Sequence, residues 1–372
     1  MLLEHSKYTE IYFDVWNDEM TYTTIHSGKA SRSVTLRDVA AKAQVSIATV
    51  SHVVNNTRTV KAHTRKRVEQ AIDELSYHRN DIARELKTGS SGLVGVLIVD
   101  YNPFYTDVLR GIEEAVEPLG WKFVVASTGE NWEKQKELLH VMISRRMQGI
   151  LIATVDGFDS QYVESVTPAD IPIVLFDRHV PGNSLVSVTS MNYEGSRQAV
   201  EHFHQHGYQN IGFVLGKDKI SSFQDRKIGF EDTSKRLNLS TRIEEDAPNI
   251  EGGYEAGRRL FSKINHRFVP EAVLVGNNMM LIGFLEFLRD HQLRVGVDVA
   301  VISFDYQPWC DVVNPPLTVI RQSSRQMGIE AVTILKSKID GELPVDVRLP
   351  VELSIGGSCG CMQKINRSKS QF

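Results

Sequence analysis

The run VTLRDVAAKAQVSIATVSHVVNN, residues 34–56, carries two apolar stripes at helical spacing with a short break between them. Leu36, Val39, Ala40 and Ala43 recur at three- and four-residue intervals behind Thr35, whose hydroxyl suits a helix N-cap. Val45 and Ser46 stand where a turn ends and a second helix begins, and Val50, Val53 and Val54 give that helix one inner face. Two short helices joined by a tight turn read as helix-turn-helix. A third stretch, 62–75, turns Val68, Ala71, Ile72 and Leu75 inward and keeps Lys61, Arg65, Lys66 and Arg67 at its start and outer side. Three small helices can close a core. From Asn80 a helix-permitting stretch runs into Gly89-Ser-Ser-Gly92, a composition that reads as a hinge.

Charge sets this segment apart from the rest of the 372 residues, whose 42 Lys/Arg and 46 Asp/Glu leave a net −4. Residues 1–28 hold one basic and five acidic side chains, for −4. Residues 29–90 hold twelve Lys/Arg against six Asp/Glu, for +6, so residues 91–372 carry −6. A small basic module precedes a larger acidic one, the asymmetry expected when a nucleic-acid-binding unit is joined to a sensing or catalytic one. An apolar content of 41% fits globular domains rather than disorder, and no run approaches the roughly 20 apolar residues of a membrane span. The first thirty residues lack a signal peptide's basic end and apolar run, so a cytoplasmic location is expected. Three cysteines without spaced pairs argue against a disulfide framework.

From Val34 to Leu86 the chain resembles the DNA-binding headpiece and hinge of the lactose/galactose repressor (LacI/GalR) family, almost without interruption. The resemblance implies that the second helix enters the major groove, with Ile47, Ala48 and His52 at base edges. Ser46, Thr49, Ser51 and Asn55 would mostly hold phosphates, and Thr35 and Thr64 would also contact the DNA. It further implies a hinge helix that pairs across a homodimer and wedges Leu86 into a central minor-groove step, with Ala83 close by. The chemistry agrees, since a wedge must be apolar and Leu86 stands among Arg84 and Lys87. Two departures matter. Gln44 occupies the turn position usually taken by Gly and must tolerate a left-handed conformation or a slightly altered turn. His52 stands where many members carry Arg, which leaves the operator sequence open.

Beyond residue 91, β-branched apolar runs alternate with helical patterns: 93–99, 123–126, 150–154, 173–176, 211–215, 272–275 and 299–304. Spacings of roughly 25 to 30 residues predict βα units and parallel sheets, and about 270 residues predict two lobes. Ligands of such sheets sit at the carboxyl ends of strands. There the sequence places Asp100-Tyr-Asn-Pro-Phe-Tyr105, Phe176-Asp-Arg178, Gly276-Asn-Asn278 and Ser303-Phe-Asp-Tyr306. Aromatics beside carboxylate, amide and guanidinium describe a pocket for a sugar-like molecule. This region resembles the effector-binding domain of the same family, which is similar to periplasmic sugar-binding proteins. The resemblance implies Asn102, Phe104, Tyr105 and Asp177 on the first lobe, Arg226, Asn277 and Asp305 on the second, and chain crossings near 191, 321 and 351. An aromatic that often caps the pocket is replaced near Pro248, and Met191 stands where Asp commonly precedes Asn192.

Histidines 202, 204 and 206 near a helix end suit the helix dipole better than a metal, because no carboxylate or Cys completes a site. Cys359-Gly-Cys361 lies in a terminal segment with too few ligands around it. Gly216-Lys217 lacks the rest of a phosphate loop, and no nucleophile motif is present, so neither enzyme activity, a cofactor nor a metal is expected. The expected architecture is a small all-α helix-turn-helix headpiece (34–79) and hinge helix (80–91), joined to a two-lobed, periplasmic-binding-protein-like α/β domain with parallel sheets (92–361). Residues 1–33 are expected to be a poorly ordered extension, with Met20 an alternative start, and residues 362–372 a tail. The expected function is a transcriptional regulator, a repressor in the first instance. It would bind a palindromic operator in double-stranded DNA as a homodimer, away from any membrane, under allosteric control by a small-molecule effector, a sugar or sugar acid. The alternative is a sugar-binding protein or carbohydrate enzyme without DNA function.

Overall fold

The computed structural model describes residues 34–55, 58–77, 91–182, 184–217, 219–262 and 268–361. The chain divides into one compact unit up to Asp81 and another from Ile82 onward.

In the first unit, α1 (Leu36–Ala43), α2 (Ile47–Asn55) and α3 (Ala62–Glu74) close around Val39, Ala40, Ala43, Val50, Val53, Val68 and Ala71. Each end of α1 is specified locally. The Thr35 and Asp38 side chains bond each other's backbone N–H groups, which satisfies two otherwise orphaned donors. At the other end Gln44 takes the left-handed conformation (φ 54°, ψ 49°) that its position demands, and the next N–H, of Val45, bonds Ala40 O at 3.0 Å. Arg67 of α3 caps the same turn by donating to the carbonyls of Ala43 and Gln44.

The second unit contains two six-stranded sheets. The first lobe holds β1 (Leu93–Ile98), β2 (Lys122–Ser127), β3 (Gly149–Ala153), β4 (Ile173–Phe176), β5 (Ser187–Ser190) and β11 (Val347–Leu349), in the order β11-β5-β4-β3-β1-β2. The second holds β6 (Asn210–Gly216), β7 (Ser240–Asp246), β8 (Ala272–Val275), β9 (Ala300–Phe304), β10 (Thr318–Gln322) and β12 (Val351–Ser354), in the matching order β12-β10-β9-β8-β6-β7. Pairing is parallel except between β10 and β12, which run antiparallel at the edge. Because β5 and β11 belong to the first sheet and β6, β10 and β12 to the second, the chain passes between lobes three times, after β5, after β10 and between β11 and β12. The helices between strands are α4 (Pro103–Val116), α5 (Trp132–Ser144), α6 (Ser160–Val166), α7 (Asn192–Gln205), α8 (Ser221–Arg236), α9 (Ile250–Leu260), α10 (Asn278–Asp290) and α11 (Ser324–Ile339). Strands β3, β4, β8 and β9 are buried along their whole length, as strands covered on both faces must be.

Five strands, β5, β7, β10, β11 and β12, lie outside the apolar runs of the sequence, and β5 and β7 are the most polar of them. In β7 the charged run STRIEED sits at an open sheet edge, where Lys227–Glu245, Arg242–Glu244 and Arg259–Asp246 pairs line it. In β5 the residues Ser-Val-Thr-Ser are buried but polar, and the Ser187 N–H and hydroxyl both donate to Asp346. The glycine pair Gly111 and Gly328 lets α4 and α11 touch backbone to backbone, since a Cβ on Gly111 would collide with the Arg325 carbonyl and one on Gly328 with that of Val108.

Candidate functional site

The headpiece presents a face whose chemistry suits a polyanion. Ser46 caps α2, its Oγ accepting from Thr49 N–H at 3.1 Å and lying 2.8 Å from the Thr49 hydroxyl. The first turn of α2 contains no acidic residue, so its dipole points an unopposed positive end outward. Ile47 is 44% exposed and Ala48 is exposed, which leaves two apolar groups at the helix start with nothing from the headpiece over them. Thr49, Ser51 and His52 are half-buried along the same helix, and Thr64 is half-buried in the first turn of α3. Thr35 is committed to capping α1. The Asn55 side chain, Ala83 and Leu86 lie outside the described residues.

In the second unit Asn102, Asp177, Asn277 and Asp305 follow the carboxyl ends of strands, Phe104 and Tyr105 open α4, and Arg226 lies in the second turn of α8. Asn102 caps α4, its Oδ1 accepting from Phe104 and Tyr105 N–H, and so swings both rings into the cleft. Phe104 packs edge-on against Tyr105 with centroids 5.2 Å apart. The buried Tyr105 hydroxyl donates to Asp177 Oδ2 at 2.7 Å. Asp177 follows Phe176 of β4, and Asp305 follows Phe304 of β9, at equivalent steps of the two lobes. Both take a left-handed backbone (φ 68° and 71°), and each N–H bonds the neighbouring strand, Asp177 to Val188 O at 2.9 Å and Asp305 to Ile320 O at 3.0 Å. Asp305 Oδ2 accepts from Asn278 N–H at 3.2 Å, and Oδ1 accepts from Gln322. Asn277 caps α10 and donates to the Pro248 carbonyl at 3.2 Å.

Arg226 lines the same cleft as these carboxylates and feels both charges. It is 3% exposed, donates to Asn192 Oδ1 at 2.8 Å and to the Gly276 carbonyl, and stands 4.0 Å over the Phe304 ring. Burial lowers its pKa from the ordinary guanidinium value, with Asp305 and Asp177 opposing that shift. For Asp177, burial raises the carboxyl pKa, against the pull of Arg178, Tyr105 and Arg226, while Asp305 pushes the same way as burial. A buried carboxylate, a buried guanidinium and amides facing one space can hold a ligand rich in hydroxyl groups through paired, directional bonds.

Four further residues shape the site. Arg178 forks onto Glu130 (2.8 and 3.0 Å) and donates to Thr154 O at 2.7 Å, which locks the loop after β4. Burial works against its charge, but Tyr105, Glu130 and Asp177 hold its pKa above the ordinary value. Asn192, at the start of α7, and Gln322, at the end of β10, orient Arg226 and Asp305. Arg178 was visible at a strand end in the sequence; Glu130 was not, because a loop acid 48 positions away carries no local signal. The cleft around Tyr105, Asp177, Arg226, Pro248, Asn277 and Asp305 leaves a cavity of about 60 Å³. It adjoins one of about 370 Å³ that shares Phe104, Asp305 and Gln322 and extends to Tyr306, Gln307 and Arg321. The lobes meet beside it, where His179 N–H donates to Ser221 Oγ at 3.0 Å.

A three-helix unit of helix-turn-helix type, followed by a two-lobed α/β domain with its polar residues gathered between the lobes, defines a regulator with a built-in sensor. Residues 35–80 match the model of bacterial regulatory proteins of the lacI family, and residues 200–359 match the periplasmic binding protein-like domain. The chain is 31% identical over 313 residues to the HTH-type transcriptional repressor PurR of Aliivibrio fischeri (strain ATCC 700601 / ES114), covering 82% of this chain and 91% of the relative. It is 29% identical over 310 residues to PurR of Pasteurella multocida (strain Pm70), covering 82% and 92%. The Lac repressor dimer bound to operator and the anti-inducer ONPF superposes with a TM-score of 0.77 at 29% identity, over 88% of this chain and 99% of that one. The complex of the transcriptional regulator CelR with cellobiose gives 0.66 at 25%, over 87% and 99%. The chain belongs to the lacI family of bacterial regulatory proteins.

Proposed function

We propose that this chain is a transcriptional repressor that binds a two-fold-symmetric operator as a homodimer and is switched by a small polar effector, a sugar or sugar acid, held between the lobes. The observation that carries the reading is the buried set Tyr105, Asp177, Arg226 and Asp305, whose two aspartates stand at equivalent strand ends of two lobes, downstream of a headpiece whose α2 offers exposed Ile47 and Ala48. In this reading Ile47, Ala48 and His52 meet base edges, while Thr35, Ser46, Thr49, Ser51, Asn55 and Thr64 position the backbone of the DNA. Ala83 and Leu86 belong to a hinge that opens the minor groove. Phe104 and Tyr105 give the effector an apolar wall, and Asp177, Arg226, Asn277 and Asp305 bind its hydroxyls, with Asn102 setting the wall's direction.

Closure of the lobes around the effector changes the packing of the first lobe against its dimer mate, and with it the stability of the paired hinges. No catalysis is assigned, and the site of action is the cytoplasm. The DNA contacts supply most of the affinity electrostatically, so binding falls steeply with salt. The test uses the full-length chain against palindromic fragments, its own upstream region included, together with a thermal-shift screen of sugars and sugar acids. Leu86→Gly is expected to abolish operator binding while leaving the effector-induced shift intact. Intact operator binding in that variant, or no salt-sensitive preference for any palindrome, refutes the DNA reading. An effector-induced shift that survives Arg226→Met refutes the cleft assignment.

A further inference from the structure

At the amino ends of the second-lobe strands, opposite the cleft, the fold joins two features that are 159 positions apart in sequence. His202, in the last turn of α7, places Nε2 3.1 Å from Cys361 Sγ, and Cys361 Sγ lies 2.6 Å from Cys359 Sγ. One donor atom from each of the three residues falls within 4.8 Å of the others, and among the described residues this is the only such cluster of His, Cys, Asp and Glu. The separate dismissal of the histidines and of Cys359-Gly-Cys361 on sequence grounds therefore does not carry over to three dimensions.

The cluster is held in place rather than brought together by a loose end. Ser358 locks the segment to the sheet: its Oγ accepts from Thr318 N–H at 2.7 Å and donates to Val301 O at 2.6 Å, and its carbonyl accepts from Val301 N–H at 2.8 Å. Cys359 is fully buried, and its carbonyl accepts from the Tyr208 hydroxyl at 3.2 Å. Gly360 has φ +77°, and a Cβ there would collide with the same hydroxyl; this turn sends both sulfurs to one side. On α7 a second imidazole, His206, stacks on His202 with centroids 4.4 Å apart, its Nδ1 bonded to the His202 carbonyl at 2.8 Å.

We propose that His202, Cys359 and Cys361 form a binding site for a thiophilic d10 cation, Zn²⁺ in the first instance, which pins the C-terminal segment to the end of α7. Two thiolates and one imidazole select such an ion over the oxygen-preferring Mg²⁺ and Ca²⁺. Binding Zn²⁺ converts both thiols to thiolates and releases two protons to solvent, with no change of oxidation state. With Zn–S near 2.3 Å the two sulfurs spread to about 3.7 Å, a shift of roughly 1 Å that a side-chain rotation of the half-buried Cys361 supplies. The fourth position of the tetrahedron falls to water or to His206.

The experiment takes the full-length chain, reduced and handled without oxygen, and titrates it with Zn²⁺ in competition with a chromophoric chelator and with Co²⁺ by absorbance. One Zn²⁺ per chain, two protons released and a thiolate-to-Co²⁺ charge-transfer band are expected. Cys361→Ser and His202→Gln, both at half-buried positions, are each expected to weaken Zn²⁺ by about 100-fold or more, the upper end of what loss of an outer-shell partner alone costs. Cys310→Ser, in a different core cluster, is expected to change nothing. Zn²⁺ is also expected to raise the melting temperature of the parent chain and not that of either ligand variant. If Cys361→Ser does not fold, His202→Gln reads the same quantity. Zn²⁺ affinity unchanged in His202→Gln, no uptake at equimolar metal, or a Cys359–Cys361 disulfide in protein purified without oxygen would overturn the assignment.

Discussion

Replacing Gln44 by Gly is expected to stabilise the headpiece, because a left-handed backbone is imposed there on a residue that gains nothing in return. Gln44 sits at φ 54° and ψ 49°, and its side chain is exposed. Its structural work is done by the backbone: the N–H bonds the end of α1, and the carbonyl accepts from Arg67 at 3.2 Å. A Cβ in this conformation costs about 1–2 kcal/mol. Glycine removes that strain but enlarges the unfolded ensemble, which takes back about 0.4–1 kcal/mol. The net gain is about 0.5–1 kcal/mol, which slows globally exchanging headpiece amides about two- to fivefold and raises the melting temperature of so small a unit by about 4 °C. Hydrogen exchange of α1 to α3 in the full-length chain reads this directly. Gly should rank above Asn, which tolerates the left-handed region, and Asn above Gln and Ala, which should be equal. If Ala is less stable than Gln by about 1 kcal/mol, or Gly is no better than Ala, the strain argument is wrong and the Gln44 side chain makes a contact of its own.

Arg226→Met leaves Asn192 Oδ1 and the Gly276 carbonyl without their donors, at about 1–3 kcal/mol each, and removes the cation that feels both Asp177 and Asp305; effector-induced stabilisation should vanish while far-ultraviolet circular dichroism is preserved. Asp177→Asn keeps an acceptor for Tyr105 and suits the left-handed backbone. Since the folded-state pKa of Asp177 is raised by burial, the unfolded chain gives up its proton first as pH climbs through the ordinary carboxylate range, and the parent loses stability up to the raised folded pKa. The melting-temperature advantage of the Asn variant should therefore grow across that window and then level off; parallel curves for parent and variant would contradict it. Gly111→Ala drives a methyl into the Arg325 carbonyl and should destabilise the second unit by about 1–3 kcal/mol or more in urea unfolding, whereas a neutral result would mean that α4 and α11 slide apart freely.

The strands legible in the sequence were those with apolar side chains on both faces. Runs 150–154, 173–176 and 272–275 coincide with β3, β4 and β8 to within a residue. The polar pair β5 and β7 was not legible, since Ser187 is stabilised by Asp346 from far along the chain and β7 lies at an edge where charge is favourable. The cleft was readable to the extent that strand ends announce themselves, as Phe176-Asp177 and Phe304-Asp305 do. What remained hidden were partners joined only by the fold: Glu130 with Arg178, Asn192 with Arg226, and His202 with Cys361. Local patterning encodes which residues face a core, and it carries no information about which distant side chain completes a hydrogen bond.

The matched Phe-Asp steps at the ends of β4 and β9 make the closed cleft an electrostatic clasp. Each lobe contributes one carboxylate on the same backbone device, and one buried guanidinium is shared between them. Closing the lobes expels the water that screens these charges, so each carboxylate is held more strongly by the guanidinium it shares. A guest that donates hydroxyl hydrogens to both carboxylates supplies the bonds that departing water withdraws. In the proposed reading the effector therefore acts as a bridge between the two lobes, and losing its bonds on either side should release the clasp.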